Sequence, residues 1–413
     1  MQFHSITGQK ETKEQLVQMV QHNRLSHALL FLGKEGSGAL QLALAFAQYI
    51  VCSPKPPEGG LFGAFEPETE SSGSPLGDGG NDSCGSCPAC KKANELIHPD
   101  IHFSYPVITK KPGEKPISTD FIKEWREFIA TNPYGNVYDW LQFIGAENKQ
   151  GNITATECMD IIRKLNLKSF ESEYKILIMW MPEFLGKEGN KLLKLIEEPP
   201  PNTLFILVAE NEEQILPTIL SRTQLVKIPM LSNLEVEASL ELNAGVAMEK
   251  AQQVAAVAGG NYREALQLLQ HADDDWELML REWLNAIIRT GPLAQVKWID
   301  DTAKLGREKQ KQFLKYFIHL LEEALRLRVI APTDNPQGPA GGQRTTHGAL
   351  RTNNDFALRL NKLCDISQQE AIITELDRAS YYIERNANAK MLFHALSIRL
   401  YHIINNKSLI LVN

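Results

Sequence analysis

The sequence lacks the features of a membrane or secreted protein. No apolar run approaches the roughly 20 residues that a membrane helix needs. The N-terminal stretch MQFHSITGQKETKEQ has neither the basic region nor the apolar core of a secretory signal, so we expect a cytoplasmic protein. Positive charge is not in excess, because 43 Lys and Arg face 50 Asp and Glu, for a formal net charge of −7. Since affinity for a phosphate backbone comes largely from clustered Lys and Arg, the chain is poorly suited to gripping DNA alone.

Cysteine is scarce and unevenly distributed. Of six cysteines, Cys84, Cys87 and Cys90 are crowded together at regular spacing, whereas Cys52, Cys158 and Cys364 stand apart. Cytoplasmic proteins rarely form disulfides, and three evenly spaced thiols suit metal better than thiol exchange. Structural zinc requires four ligands at tetrahedral angles. Cys52 can supply the fourth if the intervening segment loops back.

Two other interpretations of the cysteine cluster remain open. The thiols can form a reduced, metal-free cluster, or Cys87 and Cys90 can act as a redox pair. His98 is a competing ligand, although the HPD sequence that contains it is more typical of a turn. Cys158 and Cys364 fall on predicted helices and are expected in the core.

The apolar pattern predicts an α/β fold with a parallel sheet. The runs HALLFLG, YKILIMWM, NTLFILVAE and QLVKIP are typical of buried strands, and helical patterns lie between them. The first strand is followed by a glycine-rich turn and the helix ALQLALAFAQYIVC, which is how a parallel α/β unit begins.

The sequence also predicts three domains and two insertions. Residues 1–229 form the α/β domain, 230–275 a small helical domain, and 276–413 a larger helical domain. Residues 53–83 are rich in Pro, Gly and Ser, which predicts a flexible insertion beside the cysteine module around 52–90. Residues 106–150 form a second insertion with at least one helix, around DFIKEWREFIA.

The glycine turn resembles a phosphate-binding loop without its charged groups. The motif G-x-x-x-x-G-K-[ST] uses backbone N–H groups to hold phosphates, Lys to neutralise them, and a hydroxyl to bind Mg²⁺. Gly33, Gly36 and Gly38 keep the glycine-rich backbone, but Ala39 and Leu40 replace the Lys and the Ser or Thr. Charged residues are also missing from a later strand, where an ATP site would carry them.

An ATP site normally ends that later strand with acidic residues that hold Mg²⁺ and polarise water. Here Trp180 and Met181 stand in those positions, with Glu183 two residues further on. ATP hydrolysis is therefore not expected. ATP binding is not expected either, but binding without hydrolysis stays open as an alternative, because the backbone between Gly33 and Gly38 that can hold phosphates is retained.

Four motifs resemble one known family. RLSHALLFLGKEGSG, CGSCPACKKANELIHPDIHF, NKLLKLIEEPPPNTLFILVAEN and ILPTILSRTQLVKIP occur in the order found in the delta-prime subunits of bacterial DNA polymerase III clamp loaders, members of the AAA+ superfamily. The resemblance covers about residues 1–105 and 153–270, and is only general over the C-terminal helices. The insertions are departures from the family pattern. The resemblance supports the quartet of Cys52, Cys84, Cys87 and Cys90 as zinc ligands.

The resemblance implies a non-hydrolysing stator subunit. Such loaders assemble ATP-hydrolysing gamma/tau-type subunits, a delta subunit and a delta-prime subunit through C-terminal helical (collar) domains, and they place a sliding clamp on primed DNA. The family's Ser-Arg-Cys motif delivers an arginine to a neighbour's ATP site; Ser221, Arg222 and Thr223 match it, with Thr in place of Cys. Arg263 matches the arginine that the family aims at its own nucleotide, and is expected to be structural because the host site is degenerate.

Two other functional classes compete with the stator. An independent ATPase would need ligands for Mg²⁺, and the replacements at Ala39, Leu40, Trp180 and Met181 remove them. A stand-alone zinc-ribbon protein that binds nucleic acid would need a basic stripe, which this acidic chain does not have. A purely structural interpretation of Arg222 also remains open, in which it caps a helix or pairs with a surface carboxylate.

Overall fold

The computed structural model describes residues 1–52, 81–109, 113, 115–146, 151–270, 276–330, 351–384 and 387–405. The chain forms two compact units, Met1–Leu266 and Gln267–Asn413. Most of the predicted flexible insertion 53–83 and several residues of the insertion 106–150 lie outside the described residues. The predicted division into three domains stays a prediction.

The first unit contains a five-stranded parallel sheet of order β2-β3-β4-β1-β5. Because all strands run the same way, their carboxyl ends meet at one edge. The strands are β1 Ala28–Leu32, β2 Ile101–Ser104, β3 Lys175–Trp180, β4 Thr203–Ala209 and β5 Gln224–Lys227.

Helices cover both faces of this sheet. Those of the first unit are α1 Lys10–Gln21, α2 Ala39–Val51, α3 Pro88–Asn94, α4 Ile122–Thr131, α5 Val137–Phe143, α6 Ala155–Leu165, α7 Leu193–Glu197, α8 Pro217–Leu220, α9 Asn233–Ala244 and α10 Met248–Ala258, and α11 Tyr262–Gln270 begins in it. Alternate strand residues point to opposite faces. Phe31 and Ile206 share one apolar core with α1, α2, α4 and α5, whereas Leu30 and Leu207 share another with α6 and α7.

The insertion 106–150 contributes an aromatic cluster to the first of these cores. Trp125 on α4 and Trp140 on α5 are fully buried, with ring centroids 5.2 Å apart. Trp125 also lies 5.2 Å from Trp180, the last residue of β3. The described part of the insertion is therefore integrated into the α/β domain.

The described elements of the second unit are all helical. They are α12 Trp276–Asn285, a short π-helix Ala286–Thr290, α13 Pro292–Ala303, α14 Arg307–Ile330, α15 Arg351–Leu363, α16 Ile366–Glu384 and α17 Ala389–Ile404. Their core includes Trp283 stacked on Trp298, with centroids 4.8 Å apart. Among the described residues of the whole chain, no helix has the length and apolar character to cross a membrane.

The strand predictions over the four apolar runs are confirmed, and two local features differ. The edge strand β2 was not predicted, because its four residues IHFS carry little apolar signal. The helix predicted over GNKLLKLIEEPP is a 3-10 segment, Pro182–Leu192, followed by α7. Gly186 interrupts the 3-10 segment with φ 51° and ψ −140°, a conformation that favours glycine.

Candidate functional site

The glycine turn connects β1 to α2 at the carboxyl edge of the sheet. Gly36 and Gly38 have φ values of 75° and 86°, the left-handed region that favours glycine. Gly33 donates its N–H to the Ala209 carbonyl at the end of β4 (3.0 Å). A Cβ added at Gly36 would lie 1.9 Å from Asn261 Oδ1, so the turn is in close contact with the start of α11. All three predicted glycines, Gly33, Gly36 and Gly38, line the same pocket.

The residues that replace the charged groups face this same pocket. Ala39 and Leu40 lie at the start of α2, and Trp180 and Met181 lie at the end of β3; all four are buried and line the cavity. Apolar side chains offer no ligand atoms for Mg²⁺ and no charge for a phosphate. The four positions where the motifs would place Lys, a hydroxyl and acidic residues thus carry apolar side chains in this pocket, although Lys34, Glu35 and Glu210 also line it.

Glu183 does not replace the missing acid. Its Oε1 accepts hydrogen bonds from the backbone N–H groups of Glu210 (2.7 Å) and Asn211 (2.9 Å), which follow β4. Burial raises the pKa of Glu183, although those N–H donors act in the opposite direction. Its carboxylate thus caps the turn after β4 and is not part of the cavity lining.

The pocket is small. Its cavity has a volume of about 30 Å³, whereas pockets for small molecules measure roughly 300–1,000 Å³. Tyr134, Gly135 and Asn136 of the insertion form part of its lining. The Tyr134 Cε1 atom lies 3.5 Å from where a Cβ on Gly38 would be.

Arg263, on α11, lies between two carboxylates. Its Nε and one terminal nitrogen donate to the two oxygens of Asp139 (2.6 and 2.7 Å), and the other terminal nitrogen donates to Glu35 Oε1 (2.9 Å). Only 5% of the Arg263 side chain is exposed. This guanidinium is thus engaged by the glycine turn and by the insertion.

Arg222 occupies a separate turn after α8 and is not part of the pocket lining. Its Nε donates to Glu197 Oε1 (2.5 Å), and a terminal nitrogen donates to the Thr218 carbonyl (2.7 Å). The hydroxyls of Ser221 and Thr223 donate to backbone carbonyls of α8, which fixes the turn. The Arg222 side chain is 32% exposed.

The four predicted zinc ligands lie together although Cys52 comes 32 positions before Cys84 in the sequence. The Sγ atoms of Cys52, Cys84, Cys87 and Cys90 all lie within 4.8 Å of one another, and those of Cys84 and Cys90 are 3.8 Å apart. Four thiolates about 2.3 Å from one zinc would be separated by about 3.8 Å. The hydrogen bond between Cys52 and Cys90 lowers the pKa of the Cys52 thiol and raises that of the Cys90 thiol, so the pair favours one thiolate, on Cys52. The donor set and the spacing both fit zinc.

His98 lies outside this cluster. Its Nε2 is 3.3 Å from Glu171 Oε1, and its Nδ1 accepts a hydrogen bond from the Asp100 N–H (3.2 Å). The Asp100 carboxylate accepts three backbone N–H groups from Phe170, Glu171 and Ser172, at 2.6–2.8 Å. The HPD sequence thus forms a turn, as its composition suggested.

Sequence reasoning did not identify the polar groups of the insertion that enter the pocket. Asn136 and Asp139 form a reciprocal helix cap for α5, and Asn136 Nδ2 also donates to Glu35 Oε2 (2.9 Å). The N-x-x-D spacing before an apolar helix was a readable capping signal. Nothing in the sequence linked it to the glycine turn, about a hundred residues away.

The comparisons with known proteins point to subunits of DNA polymerase III. A family model described as "DNA polymerase III, delta subunit" matches residues 8–60 and 136–232. The chain is 26% identical over 209 residues to the DNA polymerase III subunit delta' of Bacillus subtilis, a match that covers 51% of this chain and 44% of that protein. It is 25% identical over 319 residues to the delta' subunit of Escherichia coli, covering 76% of this chain and 74% of that protein.

A solved structure, a DNA polymerase III gamma subunit-related protein from Thermotoga maritima, aligns with 94% of this chain and 99% of its own, at a TM-score of 0.37 and 14% identity. The matched part of the chain spans less than half the length of the Bacillus relative. The family model and the two delta-prime relatives together support a delta-prime-like clamp-loader subunit, the family that the motifs predict.

Proposed function

We propose that this protein is a non-hydrolysing stator of a replicative clamp loader that donates Arg222 to the ATP site of a neighbouring gamma/tau-type subunit. One observation carries the proposal: the chain's own pocket has only about 30 Å³ of free space and is lined by Ala39, Leu40, Trp180 and Met181. Such a pocket neither binds Mg²⁺ nor accommodates a nucleotide. A subunit of this kind contributes to ATP hydrolysis only through a neighbour.

The surroundings of Arg222 support a role in trans. The side chain is about one-third exposed, and Glu197, its carboxylate partner, is 44% exposed. Surface ion pairs of this type contribute only about 0–1 kcal/mol, so a γ-phosphate of a neighbour can replace the carboxylate. A planar guanidinium stabilises the charge that develops on phosphoryl oxygens during transfer.

The remaining assignments follow from this role. The proposal includes three domains: an AAA+ type domain 1–229, a small helical domain 230–275 and a collar domain 276–413. It also includes assembly with the delta subunit, loading of the sliding clamp on primed DNA and a cytoplasmic location. The all-helical core of the described second unit supports a helical collar.

We also propose a structural zinc ion held by Cys52, Cys84, Cys87 and Cys90. With four protein ligands, zinc would serve folding and would have no open position for catalysis. The cysteine loop is tied to the chain's start, because Asp82 accepts the N–H groups of Phe3 (2.9 Å) and His4 (3.0 Å). The metal would thus fix the N-terminal segment beside α3.

The decisive test is clamp-dependent ATPase of a reconstituted loader containing wild type or Arg222→Ala. We expect normal assembly by gel filtration, and a loss on the order of 10³ at the one ATP site that faces this chain. Total turnover then falls by about that site's share.

Arg163→Ala is the matched control, because Arg163 is also a surface arginine paired with a carboxylate, Asp160, and its side chain is 75% exposed. It is expected to leave turnover unchanged. Equal turnover of wild type and Arg222→Ala would remove the arginine assignment, and failure to assemble with the loader subunits would remove the stator function.

A further inference from the structure

We propose that Tyr134–Asp139 of the insertion is a built-in ligand of the degenerate pocket, which occupies the position of a nucleotide and ties the glycine turn to the start of α11. Tyr134, Gly135 and Asn136 line the pocket together with the glycine turn and the end of β3. In doing so, the segment supplies both the bulk and the negative charge that a bound nucleotide would bring. This inference concerns the isolated chain and does not depend on the loader.

On the side of the glycine turn, the segment makes polar and van der Waals contacts. Asn136 Nδ2 donates to Glu35 Oε2 at 2.9 Å. The Tyr134 hydroxyl lies 3.3 Å from Thr7 Oγ1, to which it donates, and its ring covers Gly38. The turn is therefore held by side chains where a working loop would hold phosphates with its N–H groups.

On the side of α11, the contacts are electrostatic and aromatic. Asp139 receives two hydrogen bonds from Arg263, and the Tyr134 ring meets the Tyr262 ring edge-on at 4.7 Å. Tyr262 also donates its N–H to the Gly36 carbonyl (3.3 Å). A guanidinium that can serve an anionic ligand is here neutralised by Asp139 and Glu35, which are carboxylates of the chain itself.

The insertion also accounts for the apolar end of β3. Trp180 is 4% exposed and packs against Trp125 and Phe128 of α4, with ring centroids 5.2 and 6.3 Å away. An acidic residue at position 180 would be buried among aromatic rings without a partner, at considerable cost. The loss of the metal ligand and the gain of the insertion are thus physically linked.

Hydrogen–deuterium exchange of the full-length chain tests the proposal. In Asp139→Asn and in Tyr134→Ala, the amides of α10 and α11 should exchange about tenfold faster than in wild type, because each substitution weakens the contact between the insertion and the start of α11. Amides of β1 and β4 should keep their wild-type rates. Asp120→Asn is the matched control, because Asp120 is an insertion carboxylate that accepts only the local Ile117 N–H (3.0 Å); it should leave α10 and α11 unchanged.

A parallel thermal-shift measurement with wild type should show no rise in melting temperature with millimolar ATP or ADP and Mg²⁺, because the position is already occupied. Exchange of α10 and α11 within about twofold of wild type in both variants would overturn the proposal. So would an equal acceleration in β1 and β4, which would indicate general loosening, or a clear nucleotide-induced stabilisation of wild type. None of these results depends on assembly with loader subunits.

Discussion

At the scale of single residues, two arginines with similar family roles have opposite surroundings. Arg263 is 5% exposed and holds two carboxylates, whereas Arg222 is 32% exposed and holds one carboxylate that is itself at the surface. Removal of a buried cation leaves its partners uncompensated, while an exposed pair adds little to stability. Of the two, Arg222 has the exposure that the proposed role toward a neighbouring subunit requires.

This contrast predicts different effects on stability. Arg263→Ala should lower the free energy of unfolding by about 3–5 kcal/mol, because Asp139 and Glu35 would face each other without a cation. Arg222→Ala should lower it by less than about 1 kcal/mol. Urea unfolding of the two variants at pH 7 measures both values, and similar losses would contradict the assignment of Arg263 as structural and Arg222 as free to act elsewhere.

The roles of single residues were only partly readable from the sequence. The replacement of charged groups by Ala39, Leu40 and Trp180 was visible, because the spacing of a phosphate-binding loop is fixed. The partners of Arg263 were not visible, since Asp139 lies 124 positions earlier and one sequence does not report long-range contacts. What closes the pocket is thus decided by tertiary packing.

At the scale of elements, apolar runs bounded by turns predicted the strands β1, β3, β4 and β5. The first three are buried along almost their whole length, whereas the edge strand β5 has one buried residue, Val226. The docking of α4 and α5 had no comparable signal in the sequence. Their apolar faces predict burial but do not indicate against which residues. In the sequence, their partner Trp180 is recognisable only as the replacement of an acidic residue. An insertion that departs from a family pattern can therefore be read as helical without revealing which site it fills.

The cysteine module gives a prediction at this scale. Purified wild type should contain about one zinc per chain, and Cys87→Ser substantially less, because three thiolates do not complete the tetrahedral shell. Removal of zinc by a chelator should loosen α3 and the N-terminal segment, since the Met1 amino group donates to Asn94 Oδ1 (2.6 Å) on α3. Elemental analysis gives the metal content, and hydrogen exchange over residues 1–9 and 84–98 gives the loosening.

Cys364→Ser is the matched control for the metal content. Cys364 is a buried cysteine of the second unit, outside the cluster, so its replacement should leave the zinc content unchanged. Equal zinc in wild type and Cys87→Ser would reject the quartet. Loss of zinc with no change in exchange at the N-terminal segment would reject its structural role.

At the scale of the whole α/β domain, three features that lie far apart in the sequence act on one pocket. The glycine turn has lost its Lys and hydroxyl, β3 ends in an aromatic residue, and the insertion fills the space between them. Each feature alone would impair an ATP site. Restoring one of these three features would therefore leave the other two to impair the site.

The final prediction concerns a double variant, Ala39→Lys with Leu40→Thr, which restores the Lys and the hydroxyl residue of the phosphate-binding motif. We expect no ATP hydrolysis and no binding of a fluorescent ATP analogue, because the cavity of about 30 Å³ has no room for phosphates and β3 offers no ligand for Mg²⁺. We also expect a loss of about 1–3 kcal/mol in stability, since positions 39 and 40 are only 8% and 5% exposed and the new polar groups would be buried. Steady-state ATPase assays with Mg²⁺, analogue titration and urea unfolding measure these effects, with an ATP-hydrolysing loader subunit as the positive control. Brisk turnover by the double variant would mean that two side chains alone had silenced the site, and that neither the insertion nor Trp180 keeps it closed.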